Sequence, residues 1–184
     1  MEHDEERKII DAVLAGDRQA FARLVDAHKT AVFNLAFRMT GDLREAEDLA
    51  QESFLRAYRE LRRFDANRPF FAWLYTITLN LARSTLRKQK ARESRDAGWQ
   101  EGRDRETDGN RNAGGPEAII LQDEEQERLQ AGLLKIPTRL REAVVLRFYD
   151  DRSFDEIAVI LGISTSAAKM RVYRGLEKLR KVME

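Results

Sequence analysis

FFAWLYTITLNLARSTLRKQKAR, from Phe70 to Arg92, is the stretch whose reading decides the fold. Wound at about 100° per residue, it separates into two faces. Leu74, Ile77, Leu79, Leu81, Ala82 and Leu86 share one apolar face, broad enough to pack on a core. Thr76, Asn80, Arg83, Arg87 and Lys90 recur at i, i+4, i+7, i+11 and i+14 as a narrow polar stripe opposite, with Trp73 at its edge. The last turns carry five basic residues (Arg83, Arg87, Lys88, Lys90, Arg92) and no acid. An amide in a cationic row beside an indole suits a nucleic acid. Cations hold phosphates, an Asn edge hydrogen-bonds a base, and an indole stacks on an unpaired one. The same pattern also describes a solvated helix face with a core tryptophan, and this helix alone leaves both readings open.

Outward from that helix, 184 residues allow one or two small domains. The 33 basic and 32 acidic residues nearly cancel, so overall charge says nothing about partners and segregation along the chain does. Asp42, Glu45, Glu47, Asp48 and Glu52 form an acidic run opposed only by Arg44, whereas Lys169 to Lys181 holds six basic residues opposed only by Glu177. Cysteine is absent, which excludes disulfides, thiol catalysis and cysteine-ligated zinc. The N-terminal MEHDEERKII has no apolar signal core, and no run approaches membrane-spanning length. A cytoplasmic protein with no membrane insertion of its own is expected.

Helical periodicity dominates the whole chain. Glu6 to Ala15 reads as a short amphipathic helix stopped by Gly16, and Asp17 is suited to cap a second that runs to Thr40-Gly41. Asp42 caps a third through Leu61, with Ala46, Leu49, Ala50, Ser53, Phe54, Ala57, Tyr58 and Leu61 on its apolar face. Phe64 to Pro69 is a loop, and Pro69 suits the first turn of the Phe70 helix. From Glu93 to Pro116 five glycines and six acids leave Trp99 as almost the only apolar residue, a composition that reads as a flexible linker. Trp99 is equally a docking point or a chance residue. A helix over Glu117 to Ile136 is broken by Pro137, and another follows over Arg139 to Phe148.

Ser153 to Lys181 is the second decisive stretch. Phe154, Ile157, Ala158 and Leu161 make one helix, Gly162 takes the left-handed turn, and Ser164 caps the next helix. There Ala168, Val172, Leu176 and Leu179 fall inward, while Ser166, Lys169, Met170, Tyr173 and Arg174 face out with Arg171 flanking. This is the signature of a helix-turn-helix with a basic recognition helix, the alternative being a generic αα-hairpin with a solvated face. A duplex-reading module combined with a helix suited to unpaired bases points to a protein holding two sites on one DNA, one of them opened.

At this point the chain resembles the extracytoplasmic-function (ECF) sigma factors of the sigma-70 family. EAEDLAQESFLRAYREL (Glu45 to Leu61) resembles the segment that docks on the β′ clamp helices of RNA polymerase. PFFAWLYTITLNLARSTLRKQ (Pro69 to Gln89) is similar to the region that melts and reads the minus-ten element. LREAVVLRFYDDRSFDEIAVILGISTSAAKMRVYRGLEKLR (Leu140 to Arg180) is similar to the minus-thirty-five-reading domain. The resemblance implies an all-α chain. A region 2 helical bundle would occupy residues 1–92, a flexible linker 93–116 and a region 4 helix-turn-helix domain 117–184.

The resemblance also implies roles. Glu47, Asp48, Gln51 and Glu52 are expected to bind polymerase, as an acidic patch meeting a basic coiled coil. Trp73, Thr76, Asn80, Arg83, Arg87 and Lys88 are expected at minus-ten DNA. The loop from Phe64 to Phe71 would form a pocket for a flipped base, with Phe70, Phe71 and Tyr75 read as core rather than as DNA contacts. Arg147, Ser166, Lys169, Met170, Arg171, Tyr173 and Arg174 are expected at minus-thirty-five DNA. The family often carries Gly-Thr-Val where this chain has Ser166-Ala167-Ala168, a change that bears on which bases are read. Implied partners are core polymerase (β′ clamp helices and β flap), promoter DNA and an anti-sigma factor. The linker's acids would either imitate RNA in the polymerase cleft or simply tether.

The competing reading is an autonomous helix-turn-helix regulator. It calls for a dimerisation seam, and no heptad pattern is present. An enzyme is not expected, and neither is a cofactor or a metal. His3 and His28 are the only histidines, and no phosphate-cradling loop or nucleophile motif appears.

Overall fold

The computed structural model describes residues 3–96 and 124–184. Its helices are α1 (His3–Leu14), α2 (Phe21–Thr40), α3 (Leu43–Glu60), α4 (Phe70–Asp96), α5 (Glu124–Lys135), α6 (Thr138–Phe148), α7 (Phe154–Leu161) and α8 (Thr165–Met183), and two short 3-10 turns precede α2 and follow α3. Among the described residues every regular element is a helix. Two helices depart from the expected bounds, and α1 begins at His3 rather than Glu6. α4 continues four residues past Arg92, so the first part of the expected linker is helical. α5 is described only from Glu124, and the rest of that linker, Trp99 included, lies outside the described residues.

The helix ends follow from local chemistry. The Asp17 carboxylate accepts from the backbone N–H of Gln19 and Ala20 at 3.1 and 3.2 Å and turns the chain from α1 into α2. Gly41 takes φ 75°, a left-handed stop, and donates to Phe37 O at 2.7 Å. One residue later the Asp42 carboxylate accepts from Glu45 N at 2.8 Å and starts α3.

α2, α3 and α4 pack on one another with α1 laid across one end. Their core is formed by Leu24, Leu35, Met39, Leu74, Leu79 and the fully buried rings of Phe70 and Tyr75. Buried Ser53 and Thr78 return their hydroxyl protons to Leu49 O and Leu74 O at 2.6 and 3.0 Å, so neither leaves an unmet donor. Buried Glu6 is met by His28, whose Nε2 lies 2.7 Å from its Oε1 and whose ring packs 5.6 Å from Phe70. His28 is therefore a packing residue.

In the second unit α8 crosses α5, α6 and α7. Gly175 sits at the crossing with α6, where a Cβ would run into the Val144 side chain and press on Leu140 O. α7 opens with a reciprocal capping box, Ser153 N donating to Glu156 Oε2 at 2.7 Å and Glu156 N to Ser153 Oγ at 3.2 Å. Gly162 at φ 64° makes the turn, and Ser164 Oγ accepts from Ala167 N at 3.2 Å to start α8. Ala168, Val172 and Leu179 are buried as the spacing requires, and Leu176 is half-buried at the edge.

The two units also pack on each other, α4 against α7 and α2 against α5 and α6. No periodicity announces this contact. Its apolar part includes the Leu134 side chain lying over Gly41, with no room for a Cβ there. Its polar part reaches the stripe of α4.

Candidate nucleic-acid interface

On α4 the stripe read from the sequence divides. Asn80, Arg87, Lys88 and Lys90 are exposed. Trp73 is half-buried in an aromatic cluster, 5.1 Å from Phe64 and 5.9 Å from Phe70 between ring centroids. Thr76 and Arg83 face the second unit instead of open solvent. The Thr76 hydroxyl lies 2.8 Å from Ala72 O and 3.0 Å from Ile160 O of α7, sharing one proton between them. Arg83 grips Glu142 of α6 with both arms, Nε to Oε1 at 2.5 Å and Nη2 to Oε2 at 2.8 Å, while its Nη1 donates to Asn80 Oδ1 at 2.9 Å. This fork-to-fork ion pair is charge-assisted in both directions. The hydrogen bonds to Glu142 hold the Arg83 guanidinium more firmly protonated than usual.

Neighbouring contacts extend the same seam. Arg141 reaches Met39 O of the first unit with Nη1 and Leu134 O with Nη2 at 2.7 Å. Burial weakens the proton affinity of its guanidinium, partly offset by Glu142. Arg38 donates to Gln130 Oε1 at 2.9 Å and lies 4.3 Å over the ring of Tyr149. Arg152 lies 4.1 Å over Phe71 and 5.3 Å over Tyr75. The Tyr75 hydroxyl donates to Asp150 Oδ1 at 3.3 Å, and burial, then the nearby Asp150 charge, push its pKa up to about 12.

Asp150 is the member of this seam whose pKa is moved toward neutrality. Burial lifts its pKa from 3.8 to about 6, against the opposing pull of Arg152 and of the Tyr75 hydrogen bond. Its Oδ2 is buried without a hydrogen-bond partner, which is consistent with a carboxylate poorly solvated in its charged form. Because the folded pKa stands above the ordinary value, Asp150 favours the packed state most at low pH, and that contribution is lost as pH rises through about 6. One pKa unit is a factor of ten, so between pH 7 and pH 5 the packed state should gain roughly tenfold in its equilibrium constant from this group. Chemical denaturation at the two pH values, wild type against Asp150→Asn, checks this. The gain should vanish in the variant, and an equal gain in both chains would assign it elsewhere.

The C-terminal face is open. Ser166, Lys169, Met170, Tyr173 and Arg174 are exposed, with Met170 and Tyr173 at 50% and 60% of full exposure. Lys169 Nζ lies 5.6 Å from the Phe154 ring, and Tyr173 packs 6.3 Å from the same ring. Arg171 is half-buried beside them. Arg147 braces the turn before α7. Its Nη1 donates to Arg152 O at 3.0 Å, and its guanidinium lies 5.4 Å from the Phe154 ring.

On α3 the side chains of Glu47, Asp48 and Gln51 are exposed, and Glu52 is half-buried and paired with Arg56 at 3.0 Å. Leu55, at i+7 from Asp48, continues that stripe at 42% exposure. Sequence reading passed over Leu55 because it belongs to neither the acidic run nor the inward repeat. Tyr58, expected on the apolar face, is 37% exposed and rests edge-on against Phe21 at 5.1 Å. Phe70 and Tyr75 are core as expected, and Phe71 is half-buried beneath Arg152.

A helix-turn-helix with an open cationic face, joined to a bundle with an amide-bearing basic helix and an acidic stripe, defines a DNA-reading subunit. Residues 24–92 match the family Sigma-70 region 2, and residues 126–179 match Sigma-70, region 4. The chain is 39% identical over 177 residues to the ECF RNA polymerase sigma factor SigW of Bacillus subtilis (strain 168), covering 95% of each protein. It is 31% identical to the ECF RNA polymerase sigma-E factor of Escherichia coli (strain K12), covering 93% of this chain and 90% of that one. Among solved structures it is similar to CnrH in complex with the cytosolic domain of CnrY, with TM-score 0.71, 27% identity and 96% of each chain covered. The chain belongs to the ECF sigma factors of the sigma-70 family. It directs promoter-specific initiation of transcription. Among the described residues no helix is long and apolar enough to cross a membrane.

Proposed function

We propose how that work is divided among the residues. Residues 1–92 dock on core polymerase and engage the minus-ten element, and residues 117–184 read the minus-thirty-five element. Glu47, Asp48, Gln51 and Glu52 meet the β′ clamp helices. Trp73, Thr76, Asn80, Arg83, Arg87 and Lys88 serve the opened minus-ten strand. Ser166, Lys169, Met170, Arg171, Tyr173 and Arg174 enter the major groove, with Arg147 holding the turn behind them. The β flap of polymerase receives the C-terminal unit. The polymerase supplies all the chemistry, and the protein acts in the cytoplasm, where an anti-sigma factor can sequester it. The observation that carries this reading is the separation of three exposed faces: an acidic stripe on α3, the Asn80, Arg87 and Lys88 part of the stripe on α4, and a basic face on α8.

Start-site mapping in transcription with sigma-free bacterial core polymerase tests it, because specific transcripts must depend on the added chain. Within that assay Asn80→Ala isolates the melting step. Asn80 is exposed and its described partner is Arg83, so its loss leaves the core intact. A lost base-edge contact is worth about 1–3 kcal/mol, which predicts a roughly 5- to 150-fold fall in open-complex formation with recruitment little changed. Permanganate reactivity of thymines around the start site reads this directly, and footprints equal to wild type would remove Asn80 from melting.

A further inference from the structure

Phe154 opens α7, and three of the residues assigned to minus-thirty-five DNA converge on its half-buried ring. The Arg147 guanidinium lies 5.4 Å from the ring centroid and Lys169 Nζ 5.6 Å, and the Tyr173 ring stands 6.3 Å away at an interplanar angle of 41°. Both cations are within the roughly 6 Å over which the negative face of an aromatic ring attracts charge. The Tyr173 ring is within the range of favourable ring pairs. Arg147 comes from α6, and Lys169 and Tyr173 from successive turns of α8, so one side chain of α7 touches all of them. The ring itself has a fixed place. The reciprocal capping box of Ser153 and Glu156 sets the first turn of α7, in which Phe154 leads. Arg147 Nη1 ties the end of α6 to that turn through Arg152 O at 3.0 Å. Thr165 Oγ1 donates to Asp155 Oδ1 at 2.7 Å and joins the first turns of α7 and α8.

We propose that Phe154 is a positioning residue for minus-thirty-five reading: its ring holds Arg147, Lys169 and Tyr173 in one array before DNA arrives. This rests on the assignment of those three residues to minus-thirty-five DNA, and it adds a fourth that touches no base. Long cationic side chains lose rotamer freedom when they bind, and that loss is subtracted from the affinity. A side chain already held against a ring has less freedom left to lose. The ammonium of Lys169 carries three N–H donors, and a ring on one side of it leaves the others free for a guanine edge or a phosphate. Helical periodicity assigns Phe154 to packing, and the packing it does is on the reading face itself. The attraction is between a ring quadrupole and two cations, so it depends on the electron density of the ring and not only on its size.

Full chains in which Phe154 carries one, two or three ring fluorines, assembled with core polymerase, test this. Fluorine draws electron density from the ring face and weakens its hold on cations, while shape and apolar character are kept. Affinity for a cognate promoter, measured by fluorescence anisotropy, should fall stepwise with each fluorine. On the same promoter with its minus-thirty-five element scrambled, the series should be flat. Phe154→Leu keeps an apolar side chain without the ring, and should lower affinity about tenfold, the scale of two long side chains left to be ordered on binding. Phe154→Tyr keeps the ring and should restore binding to the wild-type value. In a Lys169→Met background the stepwise fall should shrink, because one of the two cations is gone. Circular dichroism melts of the fluorinated chains should match wild type, which separates the effect from folding.

Equal affinity across the fluorine series would reduce Phe154 to a packing residue and overturn the positioning role, whatever Phe154→Leu does. A stepwise fall of undiminished size in the Lys169→Met chain would also overturn it, since the ring would then act through something other than that cation. Failure of the residue assignment itself looks different: Lys169→Ala combined with Tyr173→Ala would leave the dependence on the minus-thirty-five element intact.

Discussion

Reversing the charge at Asp48 and Glu52, both to lysine, is expected to abolish capture of this chain by core polymerase. The two carboxylates lie one turn apart on α3, Asp48 exposed and Glu52 partly so. Glu52 has one described partner, Arg56 at 3.0 Å, and an exposed i, i+4 pair of this kind is worth only about 0.3–0.5 kcal/mol. Its loss does not threaten the helix. The two introduced lysines would stand between Arg44 and Arg56 in a like-charged row, at a cost of about 0.2–0.5 kcal/mol per pair. Buried Leu49, Phe54 and Ala57 continue to hold α3 against α2 and α4. Against a basic coiled coil, by contrast, two attractive contacts become two repulsive ones, and like-charge juxtaposition costs several kcal/mol. At about 1.4 kcal/mol per decade, affinity should fall by about 100-fold or more. Fluorescence anisotropy of the labelled chain titrated with core polymerase measures this, alongside a far-ultraviolet circular dichroism spectrum that should not change. Retained binding would move polymerase docking to another surface.

The second large effect is expected from Lys169→Glu combined with Arg174→Glu. Both residues are exposed on α8, and that helix is held from its other side by Ala168, Val172 and Leu179. The fold therefore survives the substitution. Each cation brought to a phosphate contributes close to one unit to the salt dependence of binding. Removing two should flatten the slope of log affinity against log salt by about two, and placing two acids in the groove adds repulsion. Transcription from a promoter that depends on its minus-thirty-five element should fall by about 100-fold, of the order of two lost base contacts at about 1–3 kcal/mol each. A template with a pre-opened minus-ten bubble should be far less affected, since α4 is untouched. Equal losses on both templates would mean that α8 does not read the upstream element.

What could be read without coordinates was local. The 3.6-residue repeat places Leu74 and Leu79 inward, Asp42 and Ser164 supply the carboxylate and hydroxyl that start α3 and α8, and Gly162 supplies the left-handed turn between α7 and α8. Each of these is settled by residues within about one turn of each other, which is why periodicity and capping chemistry reveal them. The same reasoning placed Asn80 and Arg87 outward, and Phe70 and Tyr75, read as core beside the family resemblance, are buried. It missed Leu55, because an exposed leucine inside an acidic stripe obeys no local rule. It left Trp73 open, and the structure answers with a half-buried ring packed on Phe64 and Phe70.

The sequence by itself determined two helical units, their caps and turns, and the sign of charge on each outward face, because these depend on neighbours along the chain. Only the tertiary structure decided which polar residues are engaged between the units. Arg83 and Glu142 stand 59 positions apart and Tyr75 and Asp150 stand 75 apart. The spacing that makes Arg83 a solvated cation in a stripe is the same whether water, DNA or a buried carboxylate lies opposite. The energy of a charge is set by what surrounds it in space, through desolvation and pairing at a few ångströms, and no pattern along the chain encodes that distance.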